Sequence, residues 1–397
     1  MLTRLRFQNW RSLRDVEIND LTPITVFVGA NASGKSNTVD ALRFLRYVNT
    51  KGHGGVIGGV SKWGGREKIR AFGVGEDATI SLEFSFRPRA GEKEVTSTIT
   101  LKFAGRDIPL TYGSEYFEDK IRFDKFGPYE LPISTPIVEG WFSESENAAH
   151  YELLKHYAEK FITRRWQLLD EGFMPKLSVA AGASPGNLPL LESDAGNLVF
   201  VLDYMRQVNP TLYGELVDDL RWLLDYVDGV NIQRRETDTR LTITEIPLNK
   251  QEAPSISAGT ARLMAMLAAF YVLDMEMELV DMRQKPDFEG LNVPIAHMPG
   301  LVVIEEPDTA LNPALLGRFV ELLRGYVAGE FPRQVILTTH NPALLNFFRP
   351  EEVRVVERDK NGHTTIHKIP EHIEKIWLDE YGLGEVWLTN SFGGLAE

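Results

Sequence analysis

The segment Gly29-Ala-Asn-Ala-Ser-Gly-Lys35-Ser36 constrains the fold of this chain more than any other, because it fits the pattern G-x-x-x-x-G-K-[ST]. A compact apolar run, residues 24–28, precedes it, and apolar residues at helical spacing follow it. In the order strand, glycine loop, helix, backbone N–H groups at the helix N-terminus close around phosphate oxygens. We therefore predict a nucleotide-binding loop whose contacts come from Gly29, Asn31, Ser33, Gly34, Lys35, Ser36 and Asn37.

Within this loop, Lys35 is predicted to reach the β- and γ-phosphates, and the Ser36 hydroxyl to ligate Mg²⁺. A second apolar strand, residues 301–304, ends in Glu305 and Glu306. If the two strands are parallel, these carboxylates reach the sheet edge that carries Lys35. We predict Glu305 on the magnesium side, where Asp is usual, and Glu306 as the general base that polarises the attacking water.

Two further segments carry polar groups suited to phosphate. His340 follows the apolar strand 334–338, and we predict that it hydrogen-bonds a γ-phosphate. Ser257 and Gly259 stand just before a long helical stretch from residue 261. A Ser and a Gly there make either an anion site or an ordinary N-cap, and the segment alone favours the cap.

Taken together, these elements resemble the ABC-type ATPases of the SMC, RecF and OLD group, along the whole chain and in the same order. The matching segments are Gly29–Ser36 for the Walker A motif, Ile256–Thr260 for the signature loop, Leu301–Glu306 for the Walker B motif, Thr309–Asn312 for the D-loop and His340 for the switch histidine. The start, residues 7–13, is similar to the family's first strands, so Arg11 becomes a nucleotide contact by resemblance.

The resemblance implies an α/β fold, a P-loop NTPase head of ABC type with a mixed, largely parallel sheet, an antiparallel β layer and a helical lobe. Residues 1–109 and 290–397 would form the nucleotide-binding lobe, and residues 110–289 the helical lobe with the signature loop. ATP and Mg²⁺ would be the cofactors. Two heads would pack head to tail, or form a higher homo-oligomer, with Ser257 and Gly259 acting on the partner's ATP.

Two features of the sequence depart from the family's pattern. Ala258 stands where a Gly or Asp is common, and no motif identifies the glutamine of the Q-loop, although Gln167 is available.

The composition limits which binding partners, metal sites and cellular location are expected for this chain. The formal net charge is −13, which disfavours a broad DNA-binding face. Cys is absent, so thiolate metal sites and Cys nucleophiles are excluded and a cytoplasmic location is expected. No apolar run long enough to cross a membrane is expected. The 222 residues between Ser36 and Gly259 show no heptads, and 57 residues follow His340, so we expect neither coiled-coil arms nor a fused nuclease domain.

Three functions remain open. The first is a stand-alone ATPase that regulates a separately encoded effector, a Toprim-like or HNH nuclease, as in the anti-phage operons that the short OLD/RecF-like ATPases resemble. The second is a RecF-like repair ATPase that binds duplex DNA through Arg4, Arg6, Arg11, Arg14 and the group Lys160, Arg164 and Arg165. The third is an ATP-bound scaffold with little turnover.

Local patterns predict several further elements. Residues 78–86 and 94–103 alternate like an antiparallel hairpin, and the seven glycines of residues 51–65 indicate a loop. Helices are expected near 148–168, 194–208 and 210–228, with a break at Asn209-Pro210. The aromatic residues expected in the core are Trp141, Phe142, Tyr151 and Trp166.

Overall fold

The computed structural model describes most of the chain. The described residues are 1–51, 53–76, 78–87, 94–102, 111–118, 121–128, 162–180, 190–246, 251–252, 256–283, 299–329, 333–371, 373 and 381–395. Of the predicted features, Lys160 and the aromatic residues Trp141, Phe142 and Tyr151 lie outside them, as do residues 148–161.

The strands of the described residues follow in chain order. They are β1 (Leu2–Trp10), β2 (Leu13–Ile18), β3 (Ile24–Val28), β4 (Ile80–Phe86), β5 (Val95–Lys102), β6 (Thr111–Glu118), β7 (Ile121–Pro128), β8 (Trp166–Leu169), β9 (Ser178–Ala180), β10 (Val227–Arg234), β11 (Asp238–Glu245), β12 (Gln251–Glu252), β13 (Gly300–Glu305), β14 (Arg333–Thr339), β15 (Val353–Arg358) and β16 (Thr364–Lys368).

The helices are numbered in the same way. They are α1 (Lys35–Lys51), α2 (His53–Lys62), α3 (Arg66–Ile69), α4 (Leu198–Val208), α5 (Pro210–Leu223), α6 (Ala258–Arg283), α7 (Leu316–Val327), α8 (Pro342–Leu345) and α9 (Leu383–Leu388). Short 3-10 helices at Pro307–Ala310 and Pro313–Leu315 follow β13.

A six-stranded, largely parallel sheet has the order β16-β15-β3-β14-β13-β8. Its strands β15, β3, β14, β13 and β8 are parallel, and β16 is antiparallel to β15. This sheet confirms the predicted α/β architecture. It also brings the carboxyl ends of β3, β13 and β14 to one edge, which is the arrangement that the sequence interpretation required.

A second six-stranded sheet is antiparallel, in the order β2-β1-β4-β5-β6-β7. The β4–β5 pair, Ile80 opposite Leu101, is the predicted hairpin, which is therefore confirmed. The lobe boundary predicted after residue 109 cuts through this sheet, because β6 continues the ladder of β5 and β7 continues that of β6. Ladder hydrogen bonds thus place 111–128 with the nucleotide-binding half, and β8 in the parallel sheet does the same for 166–169.

Two apolar cores lie on opposite faces of the parallel sheet. Leu301 and Val303 of β13 face the core that contains α1 and the antiparallel sheet. Val302 and Ile304 face the core formed with α4 to α7. Both faces of β13 are therefore buried, which explains its continuous apolar sequence.

Two local predictions were wrong. Residues 53–62 form helix α2 instead of a loop: Val56 and Val60 are buried one turn apart, and a Cβ on Gly59 would meet Phe44 at 3.0 Å. The glycines there permit close packing of α2 on α1. Residues 166–169, at the end of a predicted helix, form strand β8, whose residue Trp166 is fully buried as expected for a core aromatic.

Helix α6, with 26 residues, is the longest of the described helices. Its window Ala258–Met275 is long and apolar enough for a membrane span, contrary to the expectation from the sequence, but 78% of that window is buried inside the protein. The helix begins at the predicted signature loop and packs against β8, β13, α4 and α5. We therefore interpret it as the core helix of the second apolar core.

Candidate functional site

The predicted phosphate loop lies between the end of β3 and the start of α1. Its backbone turns sharply at Ala32 and Gly34, whose φ angles are 64° and 116°. The buried Lys35 ammonium donates hydrogen bonds to the carbonyl oxygens of Gly29 (2.7 Å) and Ala30 (3.0 Å). Burial lowers the pKa of Lys35, and the carboxylates of the site act in the opposite direction. The lysine is thus held over its own loop as a partly dehydrated cation.

The loop is packed against the antiparallel strand β16. Thr364 Oγ1 donates a hydrogen bond to the Ser33 carbonyl (2.9 Å) and lies 2.6 Å from Ser12 Oγ. A Cβ added to Gly34 would overlap Thr364 Oγ1, and one added to Gly29 would overlap the Val356 carbonyl. Both glycines are therefore required by close approach, and Gly34 also by its positive φ.

We expect Gly34→Ala to weaken nucleotide binding strongly. The new Cβ forces the loop away from Thr364 and out of a left-handed conformation that costs an L-residue about 1–3 kcal/mol. At 1.4 kcal/mol per factor of ten, the dissociation constant for ATP should rise about ten- to hundredfold, measured with a fluorescent ATP analogue. The matched control is Gly325→Ala on α7, where an added Cβ meets no atom within 4 Å. Equal affinities in both variants would contradict this account of the loop.

The residues of the loop fit a bound phosphate chain. Ser33 Oγ is buried and has no hydrogen-bond partner, so the loop contains a polar group that a phosphate oxygen would satisfy. Asn31 and Ser36 are exposed at the rim. The Asn37 side-chain amide donates to Ser12 Oγ (2.6 Å), and the Asn37 backbone carbonyl accepts from Trp10 Nε1 (3.1 Å), which fixes the first turn of α1. Lys35 supplies the opposing charge.

Glu305 occupies the predicted magnesium side of the site. It is 2% exposed at the end of β13, it forms an ion pair with Arg43 of α1, and the Ser36 hydroxyl lies close enough to act on it electrostatically. Burial raises the pKa of Glu305, whereas Arg43 lowers it. A hydroxyl and a carboxylate are oxygen ligands of the kind that Mg²⁺ prefers, so this pair fits the ion that the family implies.

Glu306 is held in an uncommon backbone conformation, with φ 46° and ψ 59°. Its N–H donates to the Thr338 carbonyl at 3.0 Å, and its Oε1 lies 2.8 Å from Nδ1 of His340. The Glu306 carbonyl accepts from Nη2 of Arg262 at 3.2 Å, which ties this turn to α6. A strained residue that its neighbours fix so fully is a candidate for function. The structure thus brings Glu306 and His340 together as one hydrogen-bonded pair.

Ser257 and Gly259 lie at the exposed start of α6. The Ser257 hydroxyl accepts from the Thr260 N–H at 3.1 Å, which is the N-cap that the segment alone favoured. A cavity of about 360 Å³ opens beside them. Its other walls come from residues 223–226 and 311–318, the second of which begins within the predicted D-loop.

Arg11, the predicted nucleotide contact, stands next to α1 with a φ of 49°. Its guanidinium forms an ion pair with Asp40 and lies 3.5 Å from the side-chain oxygen of Asn37. The structure thus links Arg11 to the first turns of α1, and its role toward a base stays a prediction.

Sequence reasoning missed the carboxylates at the end of β8. Because β8 is parallel to β13, Asp170 and Glu171 reach the same edge as Glu305, and Glu171 acts electrostatically on Lys35. The signal was present, since Trp166–Glu171 repeats the pattern of an apolar strand followed by two acids. Gln167, considered for the Q-loop, pairs with Val302 inside the sheet and is 1% exposed, away from the edge.

The basic residues considered for DNA binding are largely engaged within the chain. Arg4 forms ion pairs with Glu17 and Glu83, and Arg6 pairs with Asp15. Arg165 is 1% exposed and donates to the Leu273 carbonyl at 2.6 Å. This pairing leaves little free positive charge for phosphate backbones at these residues.

Two family models match parts of this chain. The one described as "AAA domain, putative AbiEii toxin, Type IV TA system" matches residues 233–346, and the one described as "AAA domain" matches residues 4–127. The first range contains the predicted signature loop, Glu306 and His340, and the second contains the phosphate loop.

Two curated proteins are similar in sequence. The OLD nuclease of Thermus scotoductus is 23% identical over 397 residues, which cover 96% of this chain and 66% of the nuclease. An uncharacterized protein of Methanocaldococcus jannaschii is 49% identical over 44 residues, 11% of this chain and 13% of that protein. The chain therefore spans less than two thirds of the length of either relative.

Solved SMC heads are similar to this chain in structure, and one of them has a TM-score above 0.5. An SMC head bound to the C-winged helix domain of ScpA has a TM-score of 0.56 at 15% identity, covering 94% of this chain and 99% of that one. The SMC head domain from Thermotoga maritima has a TM-score of 0.47 at 16% identity, with coverages of 93% and 99%. The first of these shows that this chain has the fold of an ABC-type head. With the family models, it confirms the predicted resemblance to the SMC, RecF and OLD group of ATPases.

Proposed function

We propose that this ABC-type head of the SMC, RecF and OLD type binds ATP with Mg²⁺, hydrolyses it, and dimerises in the ATP-bound state. One observation carries the proposal: Lys35, Glu305, Glu306 and His340, far apart in sequence, meet at the carboxyl edge of one parallel sheet. ATP hydrolysis requires a loop that binds the phosphates, a carboxylate that ligates the metal and a carboxylate that acts as general base, and these residues supply all three.

The mechanism follows from what each side chain can do. Lys35 leaves the carbonyls of Gly29 and Ala30 and stabilises negative charge on the phosphates, which its burial makes more effective. Ser36 and Glu305 would hold Mg²⁺, which would supply positive charge to the phosphate oxygens. Glu306 accepts a proton from the attacking water. Nδ1 of His340 donates to Glu306 Oε1 at 2.8 Å and orients that carboxylate, and with a proton on the other ring nitrogen as well, His340 would donate to the γ-phosphate from Nε2.

The position of the predicted signature loop supports the proposal that a second head binds to this one. Ser257 is exposed, and the cavity beside it is lined by the turn 223–226 and by residues 311–318. An exposed hydroxyl at the N-terminus of a helix of 26 residues suits the γ-phosphate of another protomer's ATP. In this proposal, Ser257 and Gly259 act in trans, and ATP closes the dimer while hydrolysis opens it.

The test is the solution mass by light scattering, with and without ATP and Mg²⁺. The solution mass of the hydrolysis-deficient Glu306→Gln variant is expected to increase from 44.8 kDa to a multiple of that value only when both ligands are present. Adding Ser257→Arg, which places a bulky cation at the dimer face, should keep the ATP-bound protein at its starting mass. Arg318→Ala, which removes an exposed ion pair with Asp225 (2.8 Å) on the far wall of the cavity, serves as a milder control. A mass that ATP leaves unchanged would contradict trans ATP sites.

We further propose that the closed dimer regulates a nuclease effector in anti-phage defence, in the cytoplasm. The likeness to an OLD nuclease over 96% of this chain, together with the AbiEii-type family model, supports this proposal. We place the effector on a separate chain, of Toprim-like or HNH type. Co-purification of the chain with the product of a neighbouring nuclease gene, and phage restriction that depends on both, would support the proposal, whereas full restriction by either gene alone would contradict it.

A further inference from the structure

Three side chains of α1 point toward the metal side of the site. Ser36, Asp40 and Arg43 are spaced i, i+4 and i+7, so they lie on one face of the helix. That face meets the end of β13: Arg43 forms an ion pair with the Glu305 carboxylate, and Ser36 acts on it electrostatically. The same helix that begins with Lys35 therefore also supplies the partners of the metal-side carboxylate, two turns later.

Arg43 connects three elements of the site. Its Nη2 pairs with Glu305 of β13, its Nε lies 2.7 Å from Asp170 Oδ1 at the end of β8, and its Nη1 lies 3.2 Å from Asp40 Oδ1 of α1. Asp170 is itself fixed, because the Ser193 hydroxyl donates to it at 3.0 Å. A planar guanidinium can pair with such a divergent set of carboxylates, which a lysine ammonium reaches less well; the Nε–Oδ1 pair with Asp170 lacks the geometry of a hydrogen bond and is an ion pair only.

The local charge shows why Glu305 needs this partner. A carboxylate that is 2% exposed would be strongly destabilised as an anion without a neighbouring cation. Arg43, whose side chain is 16% exposed, is the guanidinium in contact with it among the described residues. Three carboxylates (Asp40, Asp170 and Glu305) surround this guanidinium, and Arg11 also pairs with Asp40, so three carboxylates face two guanidinium groups and the set keeps a net negative charge that favours a cation nearby.

The length of Glu305 fits the same arrangement. An Asp at this position would place its carboxylate one methylene, about 1.5 Å, closer to the backbone of β13. The ion pair with Arg43 therefore depends on the longer side chain. The departure from the usual Asp and the presence of Arg43 explain each other.

We propose that Arg43 is a positioning residue that aims the Glu305 carboxylate at the magnesium side of the site and links it to the end of β8 through Asp170. The inference rests on the proposed nucleotide site, since it assigns the support of that site's metal ligand. Arg43 contacts neither phosphate nor metal in this account, and it acts through Glu305 alone. Residues that orient metal ligands in this way usually change metal affinity about ten- to hundredfold when they are removed.

The experiment measures metal binding instead of turnover. With a non-hydrolysable ATP analogue bound, the affinity for Mn²⁺ is followed by the loss of the free-ion EPR signal. Arg43→Gln is expected to weaken Mn²⁺ binding about ten- to hundredfold, and Arg43→Lys to recover part of the loss. Glu305→Asp alone should also weaken Mn²⁺ binding. Combined with Arg43→Gln, it should add little, because both changes break the same contact.

The control separates positioning from general destabilisation. Arg324→Gln removes another well-made ion pair, in which Arg324 reaches both carboxylate oxygens of Glu352 at 2.7 and 2.9 Å, outside the site. It should lower the melting temperature without changing Mn²⁺ affinity. Unchanged Mn²⁺ affinity in Arg43→Gln would overturn the proposal. Tighter Mn²⁺ binding would overturn it too, because Arg43 would then act as a competing cation.

A metal-free measurement distinguishes this proposal from the proposed function. The affinity for the ATP analogue in EDTA should be the same in Arg43→Gln and the unaltered protein, because the phosphate loop is intact. If the unaltered protein does not bind the analogue at all, the nucleotide site itself is refuted. If it binds and only the metal step is insensitive to Arg43, the positioning role alone is refuted.

Discussion

Replacing Glu306 with Gln is expected to abolish ATP turnover while ATP binding is retained. In the unaltered protein, Glu306 Oε1 lies 2.8 Å from Nδ1 of His340. The glutamine amide has the same size and keeps this contact, but it cannot accept a proton from water. Loss of a general base typically costs about 10²–10⁴ in rate. Phosphate release in single-turnover experiments measures the change, and equilibrium binding of a fluorescent ATP analogue checks that the site is intact.

The matched control for this variant is Glu321→Gln. Glu321 is an exposed carboxylate on α7, so its neutralisation changes the net charge equally without touching the site. Turnover that is unaffected by Glu306→Gln at every ATP concentration would remove Glu306 from catalysis. The chain would then be better described as an ATP-bound scaffold with little turnover.

Replacing Lys35 with Ala is expected to remove nucleotide binding. The ammonium is 5% exposed, and the variant leaves a phosphate chain without its main opposing charge in the loop. Charge-assisted hydrogen bonds contribute about 1.5–3 kcal/mol each, so losing contacts to two phosphates should weaken ATP binding at least about a hundredfold. Isothermal titration calorimetry with ATP and Mg²⁺ measures the loss directly.

Lys62→Ala provides the comparison for Lys35. The Lys62 ammonium lies over the rings of Tyr47 (4.9 Å) and Trp63 (5.4 Å) on the surface of α2. Replacing Lys62 with Ala removes one positive charge, as Lys35→Ala does, but away from the loop. ATP affinity should be unchanged in that variant. Affinity retained by Lys35→Ala would mean that the loop holds a different ligand or none, and the proposed function would fail at its first step.

Both sites of these variants were predictable from short sequence patterns. The phosphate loop needs glycines at fixed spacing, and strand β13 needs an apolar run that ends in acids. Such requirements are local, because they follow from backbone conformation and from strand burial on both faces. The hairpin β4–β5 was predictable for the same reason, since apolar and polar residues alternate along both of its strands.

Other elements were not predictable because their cause lies in a distant neighbour. The glycines of residues 53–62 read as a loop, yet they form α2 because they allow close packing against Phe44 and Tyr47 of α1. Strand β8 was obscured because four residues are too few to separate strand from helix by periodicity. Its pairing with β13 decides its identity.

The sequence by itself thus determined that a glycine-rich loop with the spacing of a phosphate loop joins a strand to a helix, and that acids and a histidine end two further strands. Only the tertiary structure decided which of these groups meet. The pairing of Glu306 with His340, and the convergence of Arg43, Asp170 and Glu305, join residues up to 262 positions apart. The physical reason is that parallel strands bring their carboxyl ends together only after the sheet has ordered, and that order is a property of the whole fold.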